Sequence, residues 1–221
     1  MKLLVPPPSD VFAALFNWIQ SGDLRIDVQA SLSRMLMGLL LGGAIGVSFG
    51  LLTARIGLLG LSLGTIIQLL RPLPPVAIIP LVLVYFGVGD TSKIFSVASA
   101  TFFPVWINVH LGALSIPRIY LWNSQILCKS KLKELCAVIV PATLPHIVTG
   151  LRSAISIAFI MIYVSEIAGA SAGIGYRISV SHLAYKMDLM IASLFLLAMT
   201  GAVVDYVFSK SVEAVFPWIR N

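Results

Sequence analysis

Long apolar runs separated by short polar segments dominate the chain. Residues 35–54 carry no charge and are bounded by Arg34 and Arg55, and about twenty apolar residues cross a bilayer as one helix. The runs at 94–114, 138–165 and 189–204 predict further crossings, and residues 56–89, with a single charge, predict another. We therefore expect an all-α polytopic membrane protein with about five transmembrane helices, forming one membrane domain over residues 1–221.

The first segment, residues 1–28, has a different pattern and predicts a start at the outer, periplasmic membrane surface. Ser9 and Asp10 follow a proline run and are residue types that favour a helix N-cap. Residues 11–20 place most of their apolar side chains on one broad face. A helix of this length is too short to span the bilayer and suits an interfacial position.

Glycines recur at every fourth position of the first long run, at Gly38, Gly42, Gly46 and Gly50. On a helix this spacing forms one ridge that lets a second backbone approach closely. Random glycine enrichment of a membrane helix is the alternative, but four glycines in register favour a packing face.

Prolines interrupt the second run around Arg71, at Pro72, Pro74, Pro75 and Pro80. A broken helix is tolerated at membrane depth only where protein or a water-filled cavity covers it. The break therefore predicts a translocation pathway, although Arg71 can equally extend to the cytoplasmic interface.

Glu166 and the small-residue stretch 169–175 complete the pathway candidates, which are Arg71, Pro74, Pro75, Pro80, Glu166 and Ser171. We expect the stretch to bend easily because small residues dominate it. A positive Arg71 would suit an anion. Glu166 would not, and its alternative role is to pair with a cation inside the bundle.

Residues 116–145 form a polar island between apolar runs. Four basic residues and one glutamate give it a net charge of +3, and such clustering is typical of cytoplasmic loops. Ile119, Trp122 and Ile126 lie on one short helical face, and a second apolar face follows the polar break at 128–131. Short amphipathic helices of this kind can fill a groove on a soluble partner.

Composition supports the membrane class, since 58% of the residues are hydrophobic and 11% are charged. The 15 basic residues are dispersed, whereas a nucleic-acid site needs a dense basic patch. Cys128 and Cys136 lack histidines at ligand spacing, so we expect packing residues and no metal site. The sequence contains no P-loop pattern, so we expect no ATP hydrolysis by this chain.

An ordered set of short motifs then resembles one family. They are Pro6–Asp10, Ala30–Arg34, Leu70–Pro75 with Ile79-Pro80, Phe86–Asp90, Phe102–Pro104, Val140–Pro145, Thr149–Arg152 and Glu166 with Gly169–Gly175. Together they resemble the permease subunits of binding-protein-dependent ABC importers, in the branch that serves nitrate, sulfonates, taurine and bicarbonate.

The resemblance implies a multi-pass permease of the bacterial inner membrane that pairs with a second permease copy, as a homodimer within membrane lipid. Two ATP-binding subunits, carrying ATP and Mg, would bind the cytoplasmic loop 116–137. A periplasmic or lipid-anchored binding protein would deliver a small anion. The permease itself would bind no cofactor and catalyse no reaction.

Two departures from the family pattern stand out. The loop's usual Glu-Ala-Ala triplet falls on Trp122, Asn123 and Ser124, and its glycine falls on Cys128. By the same resemblance these residues, with Lys129 and Lys131, would contact the ATPase. Family members usually carry one more helix before the proline segment, so the first of six is expected to be missing.

Two alternative functions remain open from the sequence. The altered loop is compatible with a degenerate subunit that pairs with an intact permease. An intramembrane enzyme would need paired acids or a histidine–acid set at depth. The chain's acids and histidines are scattered in sequence, so this alternative is weaker.

Overall fold

The computed structural model describes residues 6–70, 72–128 and 130–219, and these fold into helices joined by short turns. The helices are α1 (Pro8–Gln20), α2 (Asp23–Arg55), α3 (Gly57–Leu70), α4 (Ile79–Phe86), α5 (Asp90–Leu114), α6 (Arg118–Leu127), α7 (Lys131–Glu134), α8 (Val140–Ile167), α9 (Ile174–Leu183) and α10 (Met187–Val215). Arg71 and Lys129 lie outside the described residues.

Four helical segments of the described chain are long and apolar enough to cross a membrane. They are Asp23–Arg55, Asp90–Leu114, Lys131–Ile167 and Met187–Val215. The third joins α7 to α8 through a π-helical turn, Leu135–Ile139. The all-α membrane fold predicted from the sequence is thus confirmed.

The remaining predicted crossing is divided in two. A helix of 14 residues, α3, begins beside Arg55 and ends at Leu70. A 3-10 turn over Pro75–Ile78 then leads into the eight residues of α4, which end next to the start of α5. The two pieces together connect the opposite ends of α2 and α5, so the described residues form four continuous crossings and one connection interrupted by prolines.

The core of the bundle is formed by α2, α5 and α8, with α5 in the middle. Met35, Val97, Val105 and Ala154 from these helices are fully buried. The glycine ridge of α2 lies against α5, where a Cβ on Gly38 would come within 2.7 Å of Val97 Cγ1 and one on Gly50 within 2.8 Å of Val109 Cγ1.

Close contact continues at the centre of this ridge. A Cβ added to Gly42 would collide with Thr101 Oγ1 and the carbonyl oxygen of Ala98, and one on Gly46 would lie 3.0 Å from the Phe102 carbonyl oxygen. The missing side chains therefore let α2 and α5 pack backbone to backbone.

The amino-terminal segment forms a helix as expected, but its start differs from the prediction. Pro7 is the N-cap and Pro8 the first helical residue, so Ser9 and Asp10 lie in the first turn and the predicted N-cap pair is wrong. Proline suits the first helical position because its φ is preset and its missing N–H would have no helical partner. Helix α2 also begins at Asp23, well before the apolar run, and Arg34 lies within it.

Candidate functional site

The polar island folds into the two short helices that its pattern predicted, α6 and α7. Ser124 is buried between them, and its hydroxyl oxygen lies within hydrogen-bond distance of the Leu121 carbonyl (2.8 Å) and of Glu134 Oε1 (2.9 Å). The same carboxylate lies 3.5 Å from Arg55 Nη2 at the end of α2. These contacts join the α6–α7 hairpin to one end of the bundle.

The outer side of this hairpin is apolar and exposed. Ile126 is 82% exposed, Leu127 76%, Leu132 70% and Trp122 58%. Asn123 and Lys131 are exposed beside them, and Cys128 is half-buried. Large apolar side chains grouped at an exposed helical surface are typical of a protein-interaction site.

The proline break lies beside a cavity of about 300 Å³ inside the bundle. Leu73 and Pro75 line it on one side, and Phe103, Asn108 and Ile157 line it on the other. Pro80 lies one turn further along, near the start of α4, and Pro74 is the cap of the preceding 3-10 turn. The structure thus places Pro75, among the predicted pathway prolines, beside the middle of α5 and α8.

At the opposite end of the bundle, five polar residues form a buried cluster that we call the clasp: Asp27, Ser31, Arg34, Lys93 and Glu166. Each is at most 7% exposed. They belong to α2, α5 and α8, and all of them surround the turn between α8 and α9, residues 168–173.

Acceptors of the clasp bind successive backbone N–H groups where this turn enters α9. Asp27 Oδ1 accepts from Gly173 N–H at 2.8 Å, and Ser31 Oγ accepts from Ile174 N–H at 2.8 Å. Glu166 Oε2 accepts from Gly175 N–H at 2.9 Å. The first N–H groups of a helix have no partner within the helix, so these side chains cap α9.

Cations of the clasp bind the carbonyl groups of the same turn. Arg34 Nη1 donates to the Ala172 carbonyl at 2.7 Å, and Lys93 Nζ donates to the Gly169 carbonyl at 2.9 Å. Arg34 Nη1 also lies 2.9 Å from Glu166 Oε1, which makes the glutamate the partner of a cation inside the bundle. Asp90, whose side chain is 68% exposed, accepts from Arg34 Nε at 2.8 Å.

A second layer connects the clasp to α1 and α9. Asp27 Oδ2 accepts from Trp18 Nε1 at 3.2 Å and from Arg177 Nε at 2.8 Å. Arg177 also lies over the Trp18 ring, 5.6 Å from its centroid. The turn expected to bend easily is therefore held by three helices, with Ser171 exposed at its tip.

Sequence reasoning found only Glu166 among the clasp residues. Arg34 was interpreted as the boundary of a crossing, and Asp27 fell within the segment 1–28 that was predicted to lie at the outer membrane surface. The available signal was that opposite charges occur near the ends of three separate apolar segments, because charges at such depth usually pair. Among the described residues, no group of three metal-ligating side chains occurs.

The arrangement of the helices matches solved structures of one class of protein. Inward-facing structures of the MetNI methionine ABC transporter match this chain with a TM-score of 0.72 and 19% identity, over 87% of this chain and 95% of that one. A crystal structure of an amino acid ABC transporter gives a TM-score of 0.63 at 17% identity, over 86% and 90% of the two chains. The fold is that of a type I ABC importer permease.

The sequence then places the chain in a family. Residues 26–221 match the family described as binding-protein-dependent transport system inner membrane component. The chain belongs to this family and is an inner-membrane permease subunit of an ABC importer, as its motifs predicted.

Some relatives in this family are named for taurine, aliphatic sulfonates or nitrate. The taurine transport system permease protein TauC of Escherichia coli is 29% identical over 98% of this chain and 80% of its own. SsuC of Bacillus subtilis, provisionally named for aliphatic sulfonates, is 31% identical over 99% and 79%. The nitrate import permease protein NrtB of Synechococcus elongatus is 34% identical over 72% of this chain and 57% of its own.

Proposed function

We propose that this permease imports a small anion, of the class that includes nitrate, taurine and other sulfonates, and bicarbonate. The observation that carries the proposal is that relatives similar over most of this chain are named for taurine, aliphatic sulfonates and nitrate. These substrates share a compact group of charged oxygen atoms. Arginine recognises such oxygens in a planar, bidentate manner.

ATP hydrolysis belongs in this proposal to separate subunits that bind ATP and Mg and dock on the α6–α7 hairpin. Its exposed apolar surface, around Trp122 and Ile126, supports a cytoplasmic docking role. The buried Ser124–Glu134 contact gives the hairpin a firm attachment to the bundle, so a movement of the ATPase subunits would be transmitted to α2 and α8 as a rigid-body change.

A second copy of the chain would complete the permease, and an external binding protein would dock at the end of the bundle that holds the clasp. Helix α10 supports a partner within the membrane plane, because only 11% of its apolar window is buried in the single chain. The uncovered surface would contact the second permease copy and membrane lipid.

The translocation pathway would run beside the proline break. The cavity between Pro75 and Asn108 supports this position, since it lies beside the proline break and combines apolar walls with an amide side chain. Glu166 would contribute by fixing the outer end of α8 and the turn that carries Ser171.

The alternatives are not favoured by these observations. The family match covers the loop and the bundle together, which favours an ordinary permease over a degenerate partner. An intramembrane enzyme would need acidic groups placed for chemistry, and the described glutamate at depth, Glu166, is instead held in hydrogen bonds.

The test is uptake by the complete transporter in proteoliposomes. Labelled taurine, nitrate and bicarbonate would be offered separately, each with the binding protein and the ATPase subunits of the same transporter. We expect ATP-dependent accumulation of one anion and none without the permease. Accumulation of a solute that has no such group of charged oxygen atoms, in place of all three, would refute the proposal.

A further inference from the structure

Helix α8 carries a line of polar side chains on a face that the single chain leaves exposed. Thr149, Arg152, Ser153 and Ser156 follow each other at short helical intervals, so they share one side of the helix. All four are exposed. We call this line the α8 polar stripe.

The stripe contains an ion pair that is not buried in the bundle. Arg152 Nε and Nη2 each lie 3.2 Å from an oxygen of Asp205 on α10, with the two side chains 60% and 41% exposed. Charge-assisted hydrogen bonds in a tight pair are typically about 2.7–2.9 Å long. Both distances lie at the long end of the ordinary hydrogen-bond range, and Asp205 occupies two of the roughly five guanidinium donors.

The position of this ion pair along α8 and α10 indicates what its exposed side chains can face. At about 1.5 Å per residue, Arg152 lies about 22 Å from the clasp-side end of α8, and Asp205 about 27 Å from the corresponding end of α10. If the hydrocarbon core, about 30 Å thick, began at these two helix ends, both charges would lie in its inner, cytoplasmic half. Exposed charges there face a water-filled space or a protein partner in preference to lipid.

A groove continues from this pair toward the membrane centre. Between α8 and α10 lies a cavity of about 480 Å³, with Asp205 at one end and Ser156 and Tyr163 along its wall. On the α10 side the cavity is lined by the small residues Ala198 and Gly201, which take up little of its space. This space is large enough for a sulfonate-sized anion with its nearest water molecules.

We propose that the α8 polar stripe lines the inner half of the anion pathway and that Arg152 is its anion-binding group, with Asp205 as the internal counter-ion that the passing anion replaces. This inference rests on the proposed import of a small anion and adds a residue to it. Arg152 would bind the anion through the N–H donors that Asp205 leaves free. Asp205 would pair with the guanidinium again once the anion has left.

Cysteine accessibility tests the proposal without measuring transport. In a background with Cys128→Ser and Cys136→Ser, Ser156→Cys would be exposed to two membrane-impermeant thiol reagents in inside-out vesicles containing the complete transporter. One is the anionic sulfonatoethyl methanethiosulfonate, and the other is its cationic trimethylammonium analogue. Val203→Cys is the matched control, because Val203 is 55% exposed on α10 and, two residues away along the helix, points away from Asp205.

We expect Ser156→Cys to react while Val203→Cys does not. Adding Arg152→Gln should lower the ratio of the anionic to the cationic rate by roughly three-fold or more, because a nearby positive charge is removed. Asp205→Asn should raise that ratio, and Arg152→Lys, which keeps the charge, should leave it nearly unchanged and thereby separates charge from folding.

Two results would overturn the inference. If Ser156→Cys stays unreactive while the native Cys136 of the otherwise unaltered protein reacts in the same vesicles, the stripe faces lipid or protein. If Ser156→Cys reacts but Arg152→Gln leaves the rate ratio unchanged, Arg152 does not select anions. Neither readout depends on uptake, so a failure of anion import itself is detected separately.

Discussion

The clasp allows one prediction to be worked through in detail, the replacement Arg34→Met. Arg34 binds Glu166 Oε1 at 2.9 Å and the Ala172 carbonyl at 2.7 Å, and Glu166 is 1% exposed. Methionine keeps much of the side-chain volume but removes the charge and the hydrogen bonds to Glu166, Ala172 and Asp90. The glutamate then remains buried with only Ser31 and the Gly175 N–H as partners.

Removing one partner of a buried ion pair typically costs about 3–5 kcal/mol, because the other charge is left uncompensated. The region destabilised is the turn 168–173 with the first residues of α9, because the clasp binds their backbone groups. If this region opens locally, its amide hydrogen exchange should accelerate by roughly a hundred-fold to a few thousand-fold. Glu166→Gln should cost less, since an amide still accepts a hydrogen bond from Arg34.

Hydrogen–deuterium exchange of peptides covering residues 168–176, read by mass spectrometry in detergent or nanodiscs, measures this directly. Arg25→Met is the matched control, because Arg25 lies on the same helix and is exposed. The double variant Arg34→Met with Glu166→Met should recover part of the lost protection. The reasoning fails if Arg34→Met exchanges no faster than the control variant.

Three further predictions concern the core and the clasp. Gly42→Ala should cost about 1–3 kcal/mol of stability, because the new Cβ collides with Thr101 and the Ala98 carbonyl. The control Gly64→Ala, whose Cβ would have nothing within 4 Å, should unfold at the same temperature as the parent. An equal loss of stability in both variants would contradict the packing account. Thr53→Val should cost about 1–3 kcal/mol, because Trp106 Nε1 loses its acceptor at 3.1 Å; Thr200→Val, which loses only a bond to its own helix, is the control in the same melting assay. Lys93→Met should speed exchange at residues 168–176 less than Arg34→Met does, and a larger effect would show that Lys93, and not Arg34, is the main cation holding the turn.

The lengths of the apolar runs and the spacing of the glycines were enough to predict the membrane class, the long helices and the face of α2 that packs against α5. These features depend on local composition, since apolar length decides what can cross a bilayer and a missing side chain decides how close two helices can approach. The proline-rich stretch after Leu70 likewise indicated a break, which the structure places between α3 and α4.

The clasp was beyond such reasoning because its partners are far apart in sequence. Asp27 meets Arg177, and Arg34 meets both Asp90 and Glu166, only after three helices have packed. The position of each charge near the end of an apolar run looked like an ordinary membrane boundary. Helix α9 was missed for a related reason, since its cap is supplied by side chains of α2 and α8 and by few local residues.

The central claim is that this chain drives import by coupling to an ATPase through the α6–α7 hairpin, and capture of that ATPase tests it most directly. The tagged chain, expressed as the sole permease with its ATP-binding subunit, should retain that subunit through purification. Ile126→Asp should abolish retention, whereas Leu183→Asp, at a side chain 74% exposed on α9, should not. Equal retention with Ile126→Asp, or retention only when a second, different permease is present, would contradict the account.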